Sequence, residues 1–183
     1  MRLVSLIISA FLLCACSMPR VIVLNDPLDA RDHNNLGVSY QQREEFELAV
    51  REYNRAAELD TAWGQPLINR GNVHSASGMW REAEKSYRQA LKREPGNPEA
   101  MNNLAWVLLR SGETAEAFDW ARKAVAAGPQ EPAYLDTLAE IQIAGRDPGA
   151  ARLTLKRALT LTPDPELRQS LEKKLASLDS HAF

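Results

Sequence analysis

The 183-residue sequence has only two cysteines, Cys14 and Cys16, both within the first sixteen positions. The rest of the chain therefore has neither a disulfide framework nor a cysteine-rich zinc site, and must fold by apolar burial. An excess of charge of one sign is also missing: 22 Lys+Arg stand against 24 Asp+Glu, a formal net charge of −2. Without a basic block to concentrate positive potential, nucleic acid is not expected as a partner. Histidine is scarce too. His33, His74 and His181 form no pair spaced for one helical face, so they suggest no His-x-x-x-His metal site. There is no glycine-rich phosphate loop and no Gly-x-Ser-x-Gly elbow. The paired acids Glu44-Glu45 lie at a turn and read as solvated charges. These gaps point away from an enzyme, and no cofactor or small-molecule substrate is expected. The 45% hydrophobic content is that of a chain able to build a core.

No apolar run reaches the roughly 20 residues that a spanning helix needs. The longest, Leu3 to Leu13, is broken only by Ser5 and Ser9; it follows Arg2 and precedes small residues, the layout of a secretory signal. Extending it to spanning length would include Pro19 and Arg20, which makes a retained anchor the weaker reading. Leu13-Cys14-Ala15-Cys16 resembles the lipobox of bacterial lipoproteins, with a Leu three places before the modified cysteine and a small residue directly before it. Cys16 fits that pattern, whereas Cys14, preceded by the bulky Leu13, does not. The resemblance implies a signal peptide over 1–15, cleavage before Cys16, and a covalent lipid (diacylglycerol and an N-acyl chain) as the only non-protein group. Ser17, rather than an Asp, follows the cysteine; in Gram-negative families this implies an outer-membrane, periplasm-facing protein. Alternatively, both cysteines are small apolar residues ahead of a conventional cleavage site. Residues 16–29 then form a tether, within which Val21-Ile22-Val23-Leu24 either meets a partner or packs on the first helix.

Small residues recur beyond the tether in a fixed frame. Gly37, Gly71, Ala105 and Ala139 are 34 residues apart, as are Ala49, Ala83, Ala117 and Ala151, and again Ala56, Ala90, Ala124 and Ala158. Pro95, Pro129 and Pro163 keep the same step, with Thr61 at the first such place. This pattern resembles the tetratricopeptide repeat family, whose 34-residue unit carries Leu-Gly, Tyr, Ala, an aromatic, Ala and Pro. The first unit has Leu36-Gly37, Tyr40, Ala49, Tyr53 and Ala56. In the second, Arg70 and His74 replace the expected Leu and Tyr; in the third, Leu108 and Ala121 replace Tyr and the aromatic; in the fourth, Gln142 stands at the Tyr place. His33 occupies the place of a packing Trp, and both His33 and His74 are expected to pack rather than to react.

The resemblance implies an all-α solenoid of four helix-turn-helix repeats, 30–63, 64–97, 98–131 and 132–163, plus a C-terminal capping helix and tail over 164–183. Small residues admit close helix approach, and no single helical pair buries its apolar face alone, so the units must stack. Helices are expected at about 30–43 and 46–59, 64–77 and 80–93, 98–111 and 114–127, 132–144 and 148–161, and 164–178. Gly78 and Gly112 mark turns inside their units, while Gly145 falls one place early. The prolines end the second helices. Leu167, Leu171, Leu175 and Leu178 give the last helix one apolar face, with Glu172, Lys173 and Lys174 among its polar residues.

In the family, first helices line a concave groove that binds peptides or partner domains. Steps of three and four residues place stripes on these helices. They are Arg31, Asn34, Val38 and Gln41; Gln65, Ile68, Asn72 and Ser75; Glu99, Asn102, Trp106 and Leu109; and Ala133, Asp136, Glu140 and Ile143. The candidate groove comprises Arg31, Asn34, Val38, Ile68, Asn72, Asn102, Trp106, Leu109, Asp136 and Glu140. Trp106 is either an apolar anchor or a packing residue between first helices; Trp80 and Trp120, on second helices, read as packing between units. Asn72 and Asn102 suit a peptide backbone because amides both donate and accept. Arg31 opposite Asp136 and Glu140 would give the groove ends of opposite charge. Asn34 and Ala133 stand where relatives that clamp a terminal carboxylate carry cations, so that subclass is not expected.

The resulting expectation is an outer-membrane lipoprotein that scaffolds protein partners, similar to small tetratricopeptide lipoproteins assisting pilus, secretion or exopolysaccharide assembly. A second resemblance joins Asn25 to Leu28, His33 to Tyr40 and Tyr134 to Leu138 to the repeat module found beside bacterial C39-family peptidases. It implies a non-catalytic accessory to a peptidase carried on another chain.

Overall fold

A computed structural model describes residues 26–180, with the side chain of Ser180 excepted. The expected signal segment, Cys16, the Val21 to Leu24 run and the tail with His181 lie outside the described residues. All regular structure among the described residues is helical: α1 (Ala30–Gln42), α2 (Phe46–Leu59), α3 (Gln65–Ala76), α4 (Trp80–Arg93), α5 (Pro98–Arg110), α6 (Thr114–Ala127), α7 (Pro132–Ala144), α8 (Pro148–Leu161) and α9 (Pro165–Ser180). None of these is long and apolar enough to cross a membrane. The expected all-α solenoid is present, and each expected helix is matched to within two residues at either end.

Local chemistry explains where the helices begin and end. Asp29 caps α1 by accepting from the Arg31 and Asp32 amides, and Asp32 returns a bond from the Asp29 amide. Asn97 and Asp147 cap α5 and α8 through the amides of Ala100 and Ala150. α4, α6 and α8 each end two residues before Pro95, Pro129 and Pro163, because a proline disfavours helical backbone at the residue before it.

Inside each hairpin one residue takes a left-handed backbone, and it recurs at the repeat period: Glu44 (φ 60°), Gly78 (71°), Gly112 (86°) and Arg146 (61°). Gly145 is instead an ordinary C-cap at φ −75°, so the early glycine leaves the last turn's geometry unchanged and puts the strain on Arg146. An L side chain in this region costs roughly 1–2 kcal/mol, partly offset by the greater backbone entropy that glycine loses on folding. Arg146→Gly is therefore expected to raise stability by about 0.5–1 kcal/mol, read as a higher melting temperature with unchanged helicity.

The stacking order is visible in which helices touch. Each unit's two helices pack together, each second helix packs on the next first helix, and first helices also meet one another, α1 on α3, α3 on α5 and α5 on α7. Second helices have no comparable mutual contact, so they splay apart and the stack curves with the first helices inside.

The small-residue columns sit at the tightest places. A Cβ on Gly37 would lie 2.6 Å from the Tyr53 ring, and one on Gly71 2.5 Å from the Tyr87 ring, both rings being buried. Where the tyrosine gives way to Ala121 and Leu155, the glycine gives way to Ala105 and Ala139. Ala49, Ala83, Ala117, Ala151, Ala56, Ala90, Ala124 and Ala158 are all fully buried. His33 is buried as expected, with Nδ1 2.7 Å from Glu52 Oε2 on α2 and Nε2 3.1 Å from Asp26 Oδ2 but not aligned for a hydrogen bond.

α9 takes the place of a fifth first helix. Leu171 is fully buried and packs with Leu135, Ala139, Leu155 and Ala158. Lys174, expected on a solvated face, instead reaches α7: its Nζ is 2.6 Å from Asp136 Oδ1 and 2.5 Å from Glu140 Oε1.

Candidate functional site

The inner face is built from side chains of α1, α3, α5, α7 and α9. At its centre Asn72, Ser75 and Ala76 of α3, Tyr87 of α4, Asn102, Asn103 and Trp106 of α5 and Thr137 of α7 surround a cavity of about 390 Å³. Three successive first helices thus share one depression, which brings the expected residues Asn72, Asn102 and Trp106 together.

The amides there are partly engaged. Asn72 Oδ1 accepts from the Tyr87 hydroxyl at 2.7 Å and from Asn103 Nδ2 at 3.0 Å, while its Nδ2 bonds no other described residue. Asn102 has the complementary deficit: its Nδ2 donates weakly to Asn103 Oδ1 at 3.4 Å, and its Oδ1 is buried without a donor. An unmet buried acceptor costs about 1–3 kcal/mol. Asn72 Nδ2 is thus a donor at the cavity with no described partner, whereas the unmet Asn102 acceptor beside it is sealed from solvent. Burial, above all, pushes the Tyr87 hydroxyl above its ordinary range and keeps it a neutral donor to Asn72.

Trp106 both packs and lines. Its ring meets Trp80 edge-on, with centroids 5.5 Å apart and planes at 73°, and Arg110 lies 5.7 Å over Trp80 and 5.8 Å over Trp106. The same half-buried indole borders the cavity, so its packing, which is against a second helix rather than between first helices, leaves it on the inner face. Trp80 and Trp120 pack against the central core, as expected of residues between units. Leu109 is half-buried against that core, and Val38 against the Ala49, Tyr53 and Val73 cluster.

Four expected groove residues are placed differently. Ile68 has no exposed surface and belongs to the core. Asn34 is only 7% exposed and accepts from Asn69 Nδ2 at 2.8 Å, joining α1 to α3 rather than facing a ligand. Both lie in the column that also holds Asn102 and Asp136, and this column turns toward the neighbouring first helix. Asp136 and Glu140 form no free acidic end because Lys174 bridges them. Burial alone would disfavour that ammonium, but the two carboxylates outweigh it and hold its pKa above the ordinary lysine value. Arg31, at the other end, is exposed as expected.

The stripes also missed residues one place further along. Asn69, Asn103 and Thr137 recur at 34 and carry the bonds and lining described above. Their own periodicity was the available signal. No group of three His, Cys, Asp or Glu residues that would suit a metal occurs among the described residues.

Comparison with known proteins agrees with this architecture. Family models described as tetratricopeptide repeat match residues 33–62 and 68–132, together about half of the chain. Photosystem I assembly protein Ycf3 of Chaetosphaeridium globosum is 28% identical over 127 residues, 60% of this chain and 74% of that protein. Among solved structures, PilF of Pseudomonas aeruginosa superposes with a TM-score of 0.69 at 22% identity, covering 84% of this chain and 74% of its own. MamA of Desulfovibrio magneticus gives a TM-score of 0.68 at 19% identity, covering 83% and 90%. At such identities the two structures share the fold. Period, hairpin stacking and matched models coincide, and the chain belongs to the tetratricopeptide repeat family.

Proposed function

We propose that this protein is a non-catalytic scaffold that holds a protein partner, as an extended segment, against the inner face of its helical stack. The observation that carries this reading is the cavity shared by three successive first helices, where Asn72 Nδ2, a donor with no described partner, stands with the half-buried indole of Trp106. A peptide carbonyl accepts from that donor, and an apolar partner side chain covers the ring. The assembly role in the name of the Ycf3 relative supports an assembly factor in particular. The lipobox-like Leu13 to Cys16 with Ser17 after it supports attachment to the outer membrane through a lipid on Cys16, facing the periplasm, where pilus, secretion or exopolysaccharide machinery would supply the partner. Two acyl signals make such attachment durable, whereas one gives only marginal binding.

The anchor is tested by growing cells with labelled fatty acid. Wild type is expected to incorporate the label and fractionate with the outer membrane; Cys16→Ala is expected to lose both properties. Absence of label in wild type, or an Ala variant that still fractionates with the outer membrane, contradicts the anchor. Crosslinking followed by affinity capture of the lipidated chain then identifies the partner.

A further inference from the structure

The sequence departs from its repeat at Arg70, which stands where the third and fourth units bury Leu104 and Leu138. In the structure this guanidinium rises from α3 into the wedge between α2 and α4, on the outer side of the stack. Nε donates to Ser86 Oγ at 3.0 Å, one terminal nitrogen to Asn54 Oδ1 at 2.6 Å and the other to Gln89 Oε1 at 2.6 Å. All three acceptors are neutral. A guanidinium has five N–H groups, so two, one on each terminal nitrogen, are left without a protein acceptor among the described residues.

The surroundings repeat the imbalance. Arg70 lines a cavity of about 650 Å³ together with Lys92 and Arg93. Arg93 is spent on main-chain carbonyls, those of Ala57, Asp60 and Trp63. The cavity's one carboxylate, Glu58, lies 3.5 Å from Arg55, outside the cavity lining. None of the three lining cations has an ion pair among the described residues. A second cavity of about 230 Å³ shares Asn54, Arg70 and Gln89 with the first and adds Lys85 and His74 against Glu82. The two make one groove with a half-buried, uncompensated cation at its floor. Burial first, and Arg93 second, lower the basicity of Arg70, as expected where a counter-charge is missing.

A buried charge that lacks a partner is costly, and an apolar replacement of similar volume is often neutral or stabilising. We propose that the groove between α2 and α4 is a second binding site, distinct from the inner face, that takes an oxyanion, a carboxylate or phosphate group, on Arg70 with Lys92 at its rim. Planar guanidinium donors suit both groups. The site is independent of the inner-face reading, since no residue lines both.

The test is a titration of the full-length, isotopically labelled chain with sodium glutarate and, separately, inorganic phosphate, at constant ionic strength, following the backbone amides of Thr61 and Gln89 by NMR. Saturable shifts are expected with at least one anion, and the anion that produces them tells a carboxylate source from a phosphate one. Arg70→Leu, which restores the residue of the third and fourth units, is expected to weaken the response at least about tenfold. Arg70→Gln, shorter of charge but still polar, is expected to do the same and serves if the Leu variant does not fold. Trp106→Ala is expected to leave the response unchanged. Absence of saturable shifts with both anions, or a response equal to wild type in the folded Arg70 variants, overturns the site.

Discussion

Ala117→Asp is expected to cost about 3–5 kcal/mol, the order of an uncompensated buried charge. Ala117 has no exposed surface and packs in the central core with Ala121, Leu104 and Leu108, a setting with neither volume nor a counter-charge for a carboxylate. Protonation of the intruding group would limit the loss, because burial raises a carboxyl pKa, but the volume penalty would remain. Ala83→Asp, one period earlier and equally buried, is expected to behave alike. Units of a solenoid contact only their neighbours, so the damage should spread outward from α6 and broaden the melt rather than merely shift it. Glu172→Ala, at an exposed position on α9, is the control and is expected to change stability by less than about 0.5 kcal/mol. Thermal unfolding followed by far-ultraviolet circular dichroism makes the comparison; superimposable curves for the three variants would mean that the alanine columns do not mark helix contacts.

Those columns show why the fold was readable. Close helix approach demands a small residue at a fixed place in each unit, and the demand repeats with the unit, so Ala83 and Ala117 appear in the sequence as a period. The limit of that legibility lies in how neighbouring units share a face. Four-residue steps along one helix turn only about 40°, so the column of Asn34, Ile68, Asn102 and Asp136 and that of Val38, Asn72, Trp106 and Glu140 look alike in the sequence. Packing of α3 against α1 and α5 separates them, sealing Ile68 into the core and setting Asn34 against Asn69. Lys174 was obscured for a different reason. α9 lacks the small residue of its column, carrying Lys173 there, so the repeat frame no longer announced that it continues the row of first helices to Glu140 and Asp136. Arg146 shows the reverse case, in which geometry keeps its period although the residue type does not.

Trp106→Ala is expected to weaken partner binding by about 2 kcal/mol or more, the loss typical of an interface hot spot, while the stack remains folded. Some stability should be lost as well, because the ring also meets Trp80, and such aromatic pairs contribute about 0.5–1.5 kcal/mol beyond burial. Trp80→Ala removes the same pair without removing a residue from the cavity lining, so it should lower stability yet preserve affinity once the folded fraction is accounted for. Asn72→Asp refines the comparison: it keeps the acceptor used by Tyr87 and Asn103 but deletes the free donor, and is expected to weaken binding further when combined with Trp106→Ala. Calorimetric titration of the captured partner measures each effect. Unchanged affinity in Trp106→Ala would move the interface off the cavity.

The most direct measurement is in-cell photocrosslinking from two exposed positions, Ala76, which borders the inner cavity, and Leu153, which is 71% exposed on the second helix of the last unit. A partner held on the inner face should crosslink from position 76, should not crosslink from position 153, and should disappear from position 76 when Trp106→Ala is introduced. Adducts formed from position 153 with none from position 76 would contradict the account.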